Sequence, residues 1–378
     1  MTKDNKGAND GSPALKKRKV TTSAAQSASE KKNESIKPIK KMSPVTYTVC
    51  VPSTCISRSN TKNLQQVTHV AYQLARTCTA YNVGEIVVLD IPEERNHEKE
   101  QEQPEVVSQS SKKIKFNFDD NATITNGNSQ KHAISDSAML LATLLQFFIT
   151  PPYLRKASFK HDSLKNFEYA KKLPKLSNLP FMSNNKVYNN YKEGLTIHKK
   201  AFSKKKNNSK LEFTKYVNIG EKEALELNGP EVPVNVRVTV DLKEKKIISP
   251  IDAYGIIGAK SSFGYHVRIA KSFSSVFTES SYSDGYSQSV YINCGDYFYN
   301  NKVEFKELTF DTQSGNILLI FGKWTDLDSS FQNDKELISR GIESAKEMID
   351  GELKIVEGCR VEDGVLIGLT KIDVLKDK

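Results

Sequence analysis

Residues 45–90, the first part of the chain with regular spacing of apolar residues, constrain the fold more than any other stretch. The segment "VTYTVCVP" is typical of a short strand, and "GEIVVLDIP" is typical of a buried strand. Between them, Leu64 to Cys78 carry apolar residues at helical spacing. Because a strand, a helix and a second strand normally form a right-handed crossover, the two strands should lie parallel in one sheet. The sequence therefore predicts an α/β fold.

The next segments interrupt this pattern and then resume it. Residues 92–130 are acidic at first and then rich in turn residues, which predicts an exposed insertion. The run "SDSAMLLATLLQFFI" predicts a buried helix that is capped by Ser135 or Asp136 and stopped by Pro151 and Pro152. The first part of the α/β domain is therefore expected to span residues 45–175.

A different pattern occupies residues 176–262, where short segments alternate apolar and polar residues between Gly, Pro and Asn turns. Short strands clustered inside an α/β chain predict an inserted small barrel or sandwich. The α/β pattern returns in residues 263–378, with strands expected in "GYHVRIA", "QSVYINC" and "NILLIFGKW". The segment "DKELISRGIESAKEMI" predicts an amphipathic helix, and a strand, a turn and a final helix are expected after it.

Positive charge is concentrated in two segments. Residues 1–44 hold 11 Lys and Arg against 4 Asp and Glu, and residues 151–215 hold 16 against 4, although the net charge of the whole chain is only +10. Such segments are typical of proteins that bind an anionic polymer. Residues 1–44 are poor in aromatic and β-branched residues, so we expect a disordered tail. Within it, "PALKKRKV" predicts nuclear import, with a solvated charge run as the alternative.

The sequence lacks the motifs of several classes of functional site. The five cysteines are scattered singly and the six histidines are dispersed, so we expect reduced thiols and no structural metal. No apolar run is long enough for a membrane span and no signal core is visible, which predicts a soluble, non-secreted protein without a membrane partner. The stretch "GIIGAKSS" departs from a Walker loop because Ala259 separates the glycine from Lys260. Dinucleotide and serine-hydrolase motifs are also missing from the sequence.

One arginine near the end of the first predicted helix requires an explanation. Arg76, in "QLARTCTAYNVGEIVVLD", lies just before the second strand. Its simplest role is to bond the last carbonyls of the helix, where cations are common. The alternative is a functional role at the edge of the sheet.

Nine segments, in the same order along the chain, resemble the SPOUT RNA methyltransferases. The resemblance is closest to the archaeal and eukaryotic subfamily that carries an inserted OB-like domain. The segments are "VPSTCISRSN", "QLARTCTAYNVGEIVVLD", "PPYLRKASFKHDSL", "YKEG", "YVNIG", "VRVTVDL", "GYHVRIAKSFSSVF", "DGY" and "LLIFG". The resemblance implies a SPOUT-like parallel-sheet fold with a C-terminal trefoil knot, plus an inserted OB-like β-barrel.

The same resemblance implies a cofactor and partners. Family members bind S-adenosylmethionine among the knot loops, pair as dimers to complete the active site, and act on RNA. Fungal and animal relatives are associated with the nucleus and with ribosome precursors. A nuclear and nucleolar location and a pre-ribosomal particle are therefore expected.

Residues that match the family motifs receive expected roles. Arg76 matches the arginine near the acceptor, where its permanently charged, forked guanidinium can hold a phosphate or orient the attacking atom. Arg58 and Asn60 lie in the matching loop after the first strand. Arg268 matches an arginine of the subfamily, with a surface role at the end of a strand as the alternative. A basic loop is also expected to bind RNA phosphates, through Lys199, Lys200, Lys204, Lys205 and Lys206.

The resemblance also implies a cofactor site near the C-terminal end. Its expected residues are Ile320, Phe321, Gly322, Gly358, Cys359, Arg360 and Leu366. Gly322 fits the first cofactor loop, where a glycine lets the backbone approach a ligand. Two features depart from the family: Lys323 replaces the usual second glycine, and the loop in "VEGCRVEDGVLIGL" is shorter than the glycine-rich loop of relatives.

Two functions from different classes remain open. The first is an S-adenosylmethionine-dependent RNA methyltransferase acting on ribosomal RNA or its precursor, in which orientation of the acceptor supplies much of the rate. The second is a weakly active or inactive RNA-binding ribosome-assembly factor that works with a paralogous subunit, which the departures at residues 323 and 352–363 favour. The dimer is accordingly a homodimer or a heterodimer. A third possibility, an unrelated single-strand-binding OB protein, leaves the Arg76 segment unexplained.

Overall fold

The computed structural model describes residues 45–92, 135–159, 161–180, 182, 190–198, 213–295, 303–306, 308 and 315–376. Three predictions therefore concern residues outside the described ranges. They are the disordered tail over residues 1–44, almost all of the insertion over residues 92–130, and the lysines at positions 199–206.

The described residues form thirteen strands and eight α-helices. The strands are β1 Thr46–Pro52, β2 Glu85–Leu89, β3 Tyr191–Thr196, β4 Phe213–Thr214, β5 Tyr216–Asn218, β6 Leu225–Glu226, β7 Val232–Pro233, β8 Arg237–Asp241, β9 Lys246–Ile247, β10 His266–Ala270, β11 Gln288–Asn293, β12 Asn316–Gly322 and β13 Gly351–Glu352. The helices are α1 Leu64–Ala80, α2 Asp136–Ile149, α3 Arg155–Ser158, α4 Pro250–Ser261, α5 Phe273–Thr278, α6 Trp324–Gln332, α7 Lys335–Ser339 and α8 Val361–Lys376. Short 3-10 helices cover Ser53–Ile56, Asp162–Phe167, Ala170–Lys172 and Ala345–Met348.

The predicted β-α-β opening is confirmed. Strand β1 pairs in parallel with β2, and helix α1 connects them. Asn63 caps the helix, because its side chain accepts a hydrogen bond from the backbone N–H of Gln66 at 2.9 Å. The apolar positions Ala71 and Leu74 of α1 are fully buried, as are all the residues of β2. The helix and the two parallel strands predicted from apolar spacing and strand hydrophobicity are therefore present.

The main sheet has six strands in the order β10-β2-β1-β12-β11-β13, and every pair in it is parallel. Successive side chains of β12 point to opposite faces of this sheet. Leu319 and Phe321 point into the core beneath α1, α2 and α8, whereas Leu318 and Ile320 point into the core beneath α5, α6 and α7. The predicted α/β class with a mainly parallel sheet is confirmed.

Helix α2 also agrees with its prediction, and its N-cap is Ser135 rather than Asp136. The Ser135 hydroxyl accepts from the backbone N–H of Ala138 at 3.2 Å and donates to the carboxylate of Asp90. The helix ends at Ile149, before Pro151, which cannot donate a backbone hydrogen bond. The pair Asp90 and Ser135 therefore fixes the start of α2 at the carboxyl end of β2.

The short strands of residues 176–262 form antiparallel sheets. Five of them pair in the order β6-β5-β3-β8-β9, and β4 pairs with β7. Their own small core contains Val217, Ile219 and Val240. Closure of these strands into an OB-like barrel stays a prediction.

Arg237 ties this antiparallel sheet to the main domain. Its guanidinium donates to the carbonyl of Ile149 at 3.0 Å and to the carbonyl of Phe263 at 3.2 Å. The third contact is an ion pair with the buried carboxylate of Glu193 at 2.5 Å. Because these acceptors come from the end of α2, the turn before β10 and β3, the arginine fixes one end of the inserted sheet against the α/β domain.

One predicted helix is wrong in its extent. The segment "DKELISRGIESAKEMI" was expected to be one amphipathic helix, but it contains α7 and a separate 3-10 helix over Ala345–Met348. Gly341 has a φ of +82° and ends the first piece, and Ser344 starts the second with a capping box that includes Glu347. Turn and capping residues inside the segment override its apolar periodicity.

The stretch "GIIGAKSS" begins at Gly255, where a non-helical backbone kinks α4, and continues through the last turns of that helix. It therefore forms no loop between a strand and a helix, which a phosphate-binding Walker loop would require. Within the described residues, no helix is long and apolar enough to cross a membrane.

Candidate active site

A cleft opens where the loops that follow β1, β11 and β12 meet the turn before α8. In a parallel sheet, these carboxyl ends of the strands are where ligands usually bind. The cleft encloses about 160 Å³ and is open to solvent. Its lining residues are Thr54, Cys55, Asn60, Cys294, Gly295, Lys323, Asp326, Gly358, Cys359, Arg360, Val361 and Glu362.

Hydrogen bonds hold the cleft loops to one another. The Thr54 hydroxyl donates to the carboxylate of Asp326 at 2.5 Å, which joins the loop after β1 to the first turn of α6. The side-chain amide of Asn60 donates to the carbonyl of Thr54 at 2.7 Å. Arg360 in turn donates to the carbonyl of Asn60 at 3.4 Å. Three separate segments of the chain are thus fixed around one opening.

The cleft contains charged groups of both signs. Arg360 pairs with Glu362 at 2.7 Å, and the carboxylate of Glu362 is nearly buried. Lys323 and Asp326 lie at the start of α6 and also line the cleft. Cations and carboxylates in one cleft can hold the carboxylate and the ammonium group of an amino-acid moiety at the same time.

Gly295 explains how the cleft accommodates Lys323. Gly295 has a φ of +146°, and a Cβ built on it would lie 2.4 Å from Cγ of Lys323. The stem of Lys323 therefore occupies the space that a side chain at residue 295 would need. A glycine after β11 makes room for the lysine after β12.

Four of the residues expected from the sequence come together at this cleft. Gly358, Cys359 and Arg360 line it, and so does Asn60, which was expected to contact RNA. Gly322 lies directly beneath, where its carbonyl accepts hydrogen bonds from the backbone N–H of Cys294 at 3.0 Å and from the hydroxyl of Tyr291 at 3.1 Å.

The other three expected cofactor residues do not line the cleft. Ile320 is fully buried in the core beneath α6, and Phe321 is fully buried on the opposite face, against Gly368. Both positions follow from the alternation of side chains along β12. Leu366 lies on α8 and is 41% exposed. The apolar cofactor walls expected from these residues are therefore absent from this cleft.

Arg76 is exposed near the C-terminal end of α1 and does not line the cleft. Among the described residues, other groups bond the last carbonyls of the helix. The hydroxyl of Thr79 donates to the carbonyls of Ala75 and Arg76, and backbone N–H groups of Tyr81 and Val83 bond those of Thr77 and Cys78. In this part of the structure, the Arg76 side chain therefore does not have the simple capping role. Arg58 is exposed in the loop after β1.

The guanidinium of Arg268 is held inside the protein. It bonds the carboxylate of Glu85 at 3.1 Å and the carbonyls of Ser275 and Val276 at 2.8 and 3.0 Å. Its side chain is only 12% exposed. These contacts give Arg268 a structural role inside the protein. They include no RNA contact, and the side chain is not the surface residue that the alternative described. An RNA contact by Arg268 stays a prediction.

The sequence predicted no structural metal. The described residues contain no group of three or more His, Cys, Asp or Glu side chains suited to a metal ion. All five cysteines carry free thiols, and four of them are buried. Reduced thiols were expected from the scattered cysteine positions.

Sequence reasoning missed more than half of the residues that line the cleft, several of them polar or charged. Thr54, Cys294, Asp326 and Glu362 were not expected there. A usable signal existed for the first three, because each lies within a few residues of the carboxyl end of a predicted apolar strand. Glu362, at the start of the last helix, carried no comparable signal.

Comparison with known proteins decides the family. The family described as "Putative RNA methyltransferase" matches residues 46–372, which covers nearly all of the patterned chain. The chain belongs to this RNA methyltransferase family. The SPOUT assignment expected from the nine segments is confirmed, whereas the OB-like character of the insertion stays a prediction.

Individual relatives agree with this family assignment. The chain is 34% identical over 334 residues to "Putative methyltransferase YMR310C" of Saccharomyces cerevisiae, covering 87% of the chain and 94% of that protein. It is 37% identical over 302 residues to "Putative methyltransferase YGR283C" of the same yeast, covering 76% of each. It is also 25% identical over 364 residues to the 28S rRNA (uridine-N(3))-methyltransferase of Drosophila melanogaster, covering 92% of the chain and 66% of that relative.

Proposed function

We propose that the protein transfers a methyl group from S-adenosylmethionine to a base of ribosomal RNA or its precursor. The observation that carries the proposal is the cleft at the carboxyl ends of β1, β11 and β12, in a chain whose family match extends over residues 46–372. The relatives named 28S rRNA (uridine-N(3))-methyltransferase make a uridine in large-subunit RNA the first acceptor to test.

The residues of the cleft fit the amino-acid moiety of the proposed cofactor. Gly295 and Gly358 both have positive φ and expose backbone to the opening. Lys323 and Arg360 would hold a carboxylate, and Asp326 would accept from an ammonium group. When bound, the cofactor supplies an electrophilic methyl group on sulfur. The protein's contribution is to hold the donor and the acceptor base in line.

On the RNA side, Arg76 and Arg58 would hold phosphates and orient the acceptor, since a guanidinium stays charged and offers forked donors. The family resemblance supports three further parts of the proposal: a trefoil knot around the cofactor loops, an OB-like insertion that binds RNA, and a dimer that completes the site. The basic cluster at residues 13–20 and the ribosomal RNA relatives favour a nuclear, nucleolar location on pre-ribosomal particles.

Calorimetry with S-adenosylmethionine and its demethylated product, S-adenosylhomocysteine, tests the cofactor site directly. The wild-type chain should bind both ligands. Gly358→Val should weaken binding at least tenfold, because a branched side chain would enter the cleft at a φ of +76°.

Gly341→Val is the matched control for this measurement. Gly341 has a similar φ of +82°, lies outside the cleft and has open space around it. The backbone strain is therefore similar, but cofactor affinity should stay unchanged. A wild-type chain that binds neither ligand at millimolar concentration would contradict the proposal. The RNA-binding assembly factor that works with a paralogous subunit would then explain the fold.

A further inference from the structure

Two thiols from different segments meet in the cleft. Cys294 directly follows β11, and Cys359 lies in the turn before α8. Both are free thiols; Cys294 is fully buried, and Cys359 is half-buried. Their side chains are hydrogen-bonded to each other. The sulfur atoms are thus neighbours although their residues are far apart in sequence.

The surrounding backbone fixes the position of the Cys294 sulfur. The N–H of Cys294 donates to the carbonyl of Gly322 at 3.0 Å. Its sulfur packs on the first turn of α8, where a Cβ built on Gly364 would lie only 2.2 Å away. Gly364 itself donates to the carbonyl of Arg360 at 2.7 Å. The absence of a side chain at residue 364 lets the Cys294 sulfur lie beside the turn that carries Cys359.

The two thiols differ in reactivity. The hydrogen bond from Cys294 lowers the pKa of Cys359 to about 7, against the opposing effects of burial and of the carboxylates of Asp363 and Glu362. The same hydrogen bond, together with burial, raises the pKa of Cys294. A partly exposed thiolate beside a protonated thiol is the arrangement of an attacking and a resolving cysteine.

The other three cysteines lack these properties. Burial raises the pKa of Cys50 to about 12 and also raises those of Cys55 and Cys78. All three side chains are at most 4% exposed. Oxidation should therefore be selective for the thiol pair in the cleft.

We propose that Cys359 and Cys294 form an oxidation site at which a hydroperoxide produces a disulfide that closes the cleft. The Cys359 thiolate attacks a peroxide oxygen, so that an S–O bond forms, the O–O bond breaks and hydroxide leaves. The Cys294 sulfur then attacks the Cys359 sulfur, so that the S–S bond forms and the S–O bond breaks. The proton of Cys294 leaves with that oxygen as water. Two thiols and one hydrogen peroxide thus give one disulfide and two waters.

The disulfide would act on the cofactor site through the turn at residues 358–360. Its S–S bond length of about 2.05 Å draws the sulfurs closer than a thiol hydrogen bond does. Gly358 and Arg360, which flank Cys359, both line the cleft. The turn should therefore move toward the end of β11 and narrow the opening. This consequence for cofactor binding rests on the proposed function, whereas the formation of the disulfide does not.

Mass spectrometry of the full-length chain tests the chemistry. After treatment with hydrogen peroxide and alkylation under denaturing conditions, the chain should carry two fewer maleimide adducts than the five of the reduced form. Peptide mapping should place the bond between Cys294 and Cys359. In Cys294→Ser and Cys359→Ser the disulfide should be lost. Cys55→Ser, which removes a third thiol from the same cleft, should retain it.

Three outcomes would overturn the oxidation site: five adducts after peroxide, a bond that involves another cysteine, or accumulation of Cys359 as its sulfinic acid. Peptide mapping of the wild-type chain decides between them even if a serine variant fails to fold.

Calorimetry with S-adenosylhomocysteine tests the closure separately. The oxidised chain should bind at least tenfold more weakly, and dithiothreitol should restore the affinity. Equal affinity of the oxidised and reduced chains for S-adenosylhomocysteine would contradict closure of the cleft but would not contradict formation of the disulfide. A reduced chain that does not bind would contradict the proposed function instead.

Discussion

The guanidinium of Arg76 is exposed on α1, and the helix carbonyls near it are already bonded to Thr79, Tyr81 and Val83. A residue that is not needed to cap its helix is available for a ligand. Arg268 is the opposite case, because Glu85, Ser275 and Val276 already accept from its guanidinium. These two arginines should therefore respond differently to substitution, one in RNA methylation and the other in stability.

Replacement of Arg76 should separate cofactor binding from methyl transfer. In Arg76→Ala we expect unchanged affinity for S-adenosylhomocysteine, because the residue does not line the cleft. The rate of RNA methylation should fall at least tenfold, since a charged contact to RNA is worth about 1.5–3 kcal/mol. Calorimetry and single-turnover methylation measure the two effects. Arg76→Lys, which keeps the charge but loses the forked donors, should be intermediate. Equal transfer rates in all three proteins would contradict a role at the acceptor.

At the scale of elements, a buried ion pair joins β2 to the edge strand β10. Glu85 opens β2 and accepts from Arg268 of β10, and also from the hydroxyls of Ser281 and Tyr286. Burial alone would raise the pKa of Glu85, but the His266 imidazole at 3.6 Å, the charge of Arg268 and a hydrogen bond from Ser281 lower it to about 2. The carboxylate is therefore charged in the folded protein at any pH above that value.

This lowered pKa predicts a loss of stability in acid. Because the folded pKa lies below the ordinary value of 4.5, the Glu85 contribution is complete above pH 4.5 and is lost as the pH falls toward 2. Between pH 6 and pH 3 the difference in unfolding free energy between wild type and Glu85→Gln should shrink by about 2 kcal/mol.

Urea unfolding at the two pH values measures this difference. Glu279→Gln is the control, because that carboxylate lies 4.0 Å from the same arginine but is 61% exposed. It should show little pH-dependent difference from wild type. A Glu85→Gln difference that does not change with pH would contradict the ion pair.

At the scale of the whole molecule, the charge distribution determines how the protein meets RNA. Residues 151–215 carry 16 Lys and Arg against 4 Asp and Glu. In the described part of this segment, Lys165, Lys171, Lys172 and Lys175 are exposed, and Lys172 lies 3.7 Å from Glu168. The phenylalanines beneath them are packed together, with Phe147 stacked on Phe167 at 4.4 Å. These aromatic rings serve the core, so this surface offers charge rather than base stacking.

Neutralising the basic loop should weaken RNA binding and its dependence on salt. In a variant with Lys199, Lys200, Lys204, Lys205 and Lys206 changed to Gln, each lost phosphate contact should reduce the slope of log affinity against log salt by about 0.7. Binding titrations at several salt concentrations measure this slope.

The control for this variant carries Lys335→Gln, Arg340→Gln and Lys346→Gln, three exposed cations outside the basic segment. It should keep the wild-type slope. An unchanged slope in the loop variant would show that the RNA is held elsewhere.

Much of the fold could be predicted because its signals are local. The helical spacing of α1, the Ser135 cap of α2 and the apolar run of β12 act within a few residues, and together they specify a parallel α/β sheet. Local signals also misled. The apolar spacing of residues 334–349 predicts one helix, but Gly341 and Ser344 divide it because backbone geometry and capping outweigh weak amphipathicity.

The cleft could be predicted only in part, because its contacts join residues that are distant in sequence. From the family resemblance, Gly358, Cys359 and Arg360 were expected to form one turn of a cofactor site, and all three line the cleft. Strand order then decided their neighbours: β12 lies between β1 and β11, so the loops after these strands open at one edge. That arrangement brings Asp326 to Thr54 and Cys294 to Cys359. It also buries Ile320 and Phe321 on opposite faces of the sheet. Such pairings depend on which strands lie side by side and in which register, and local spacing along one chain carries no information about either.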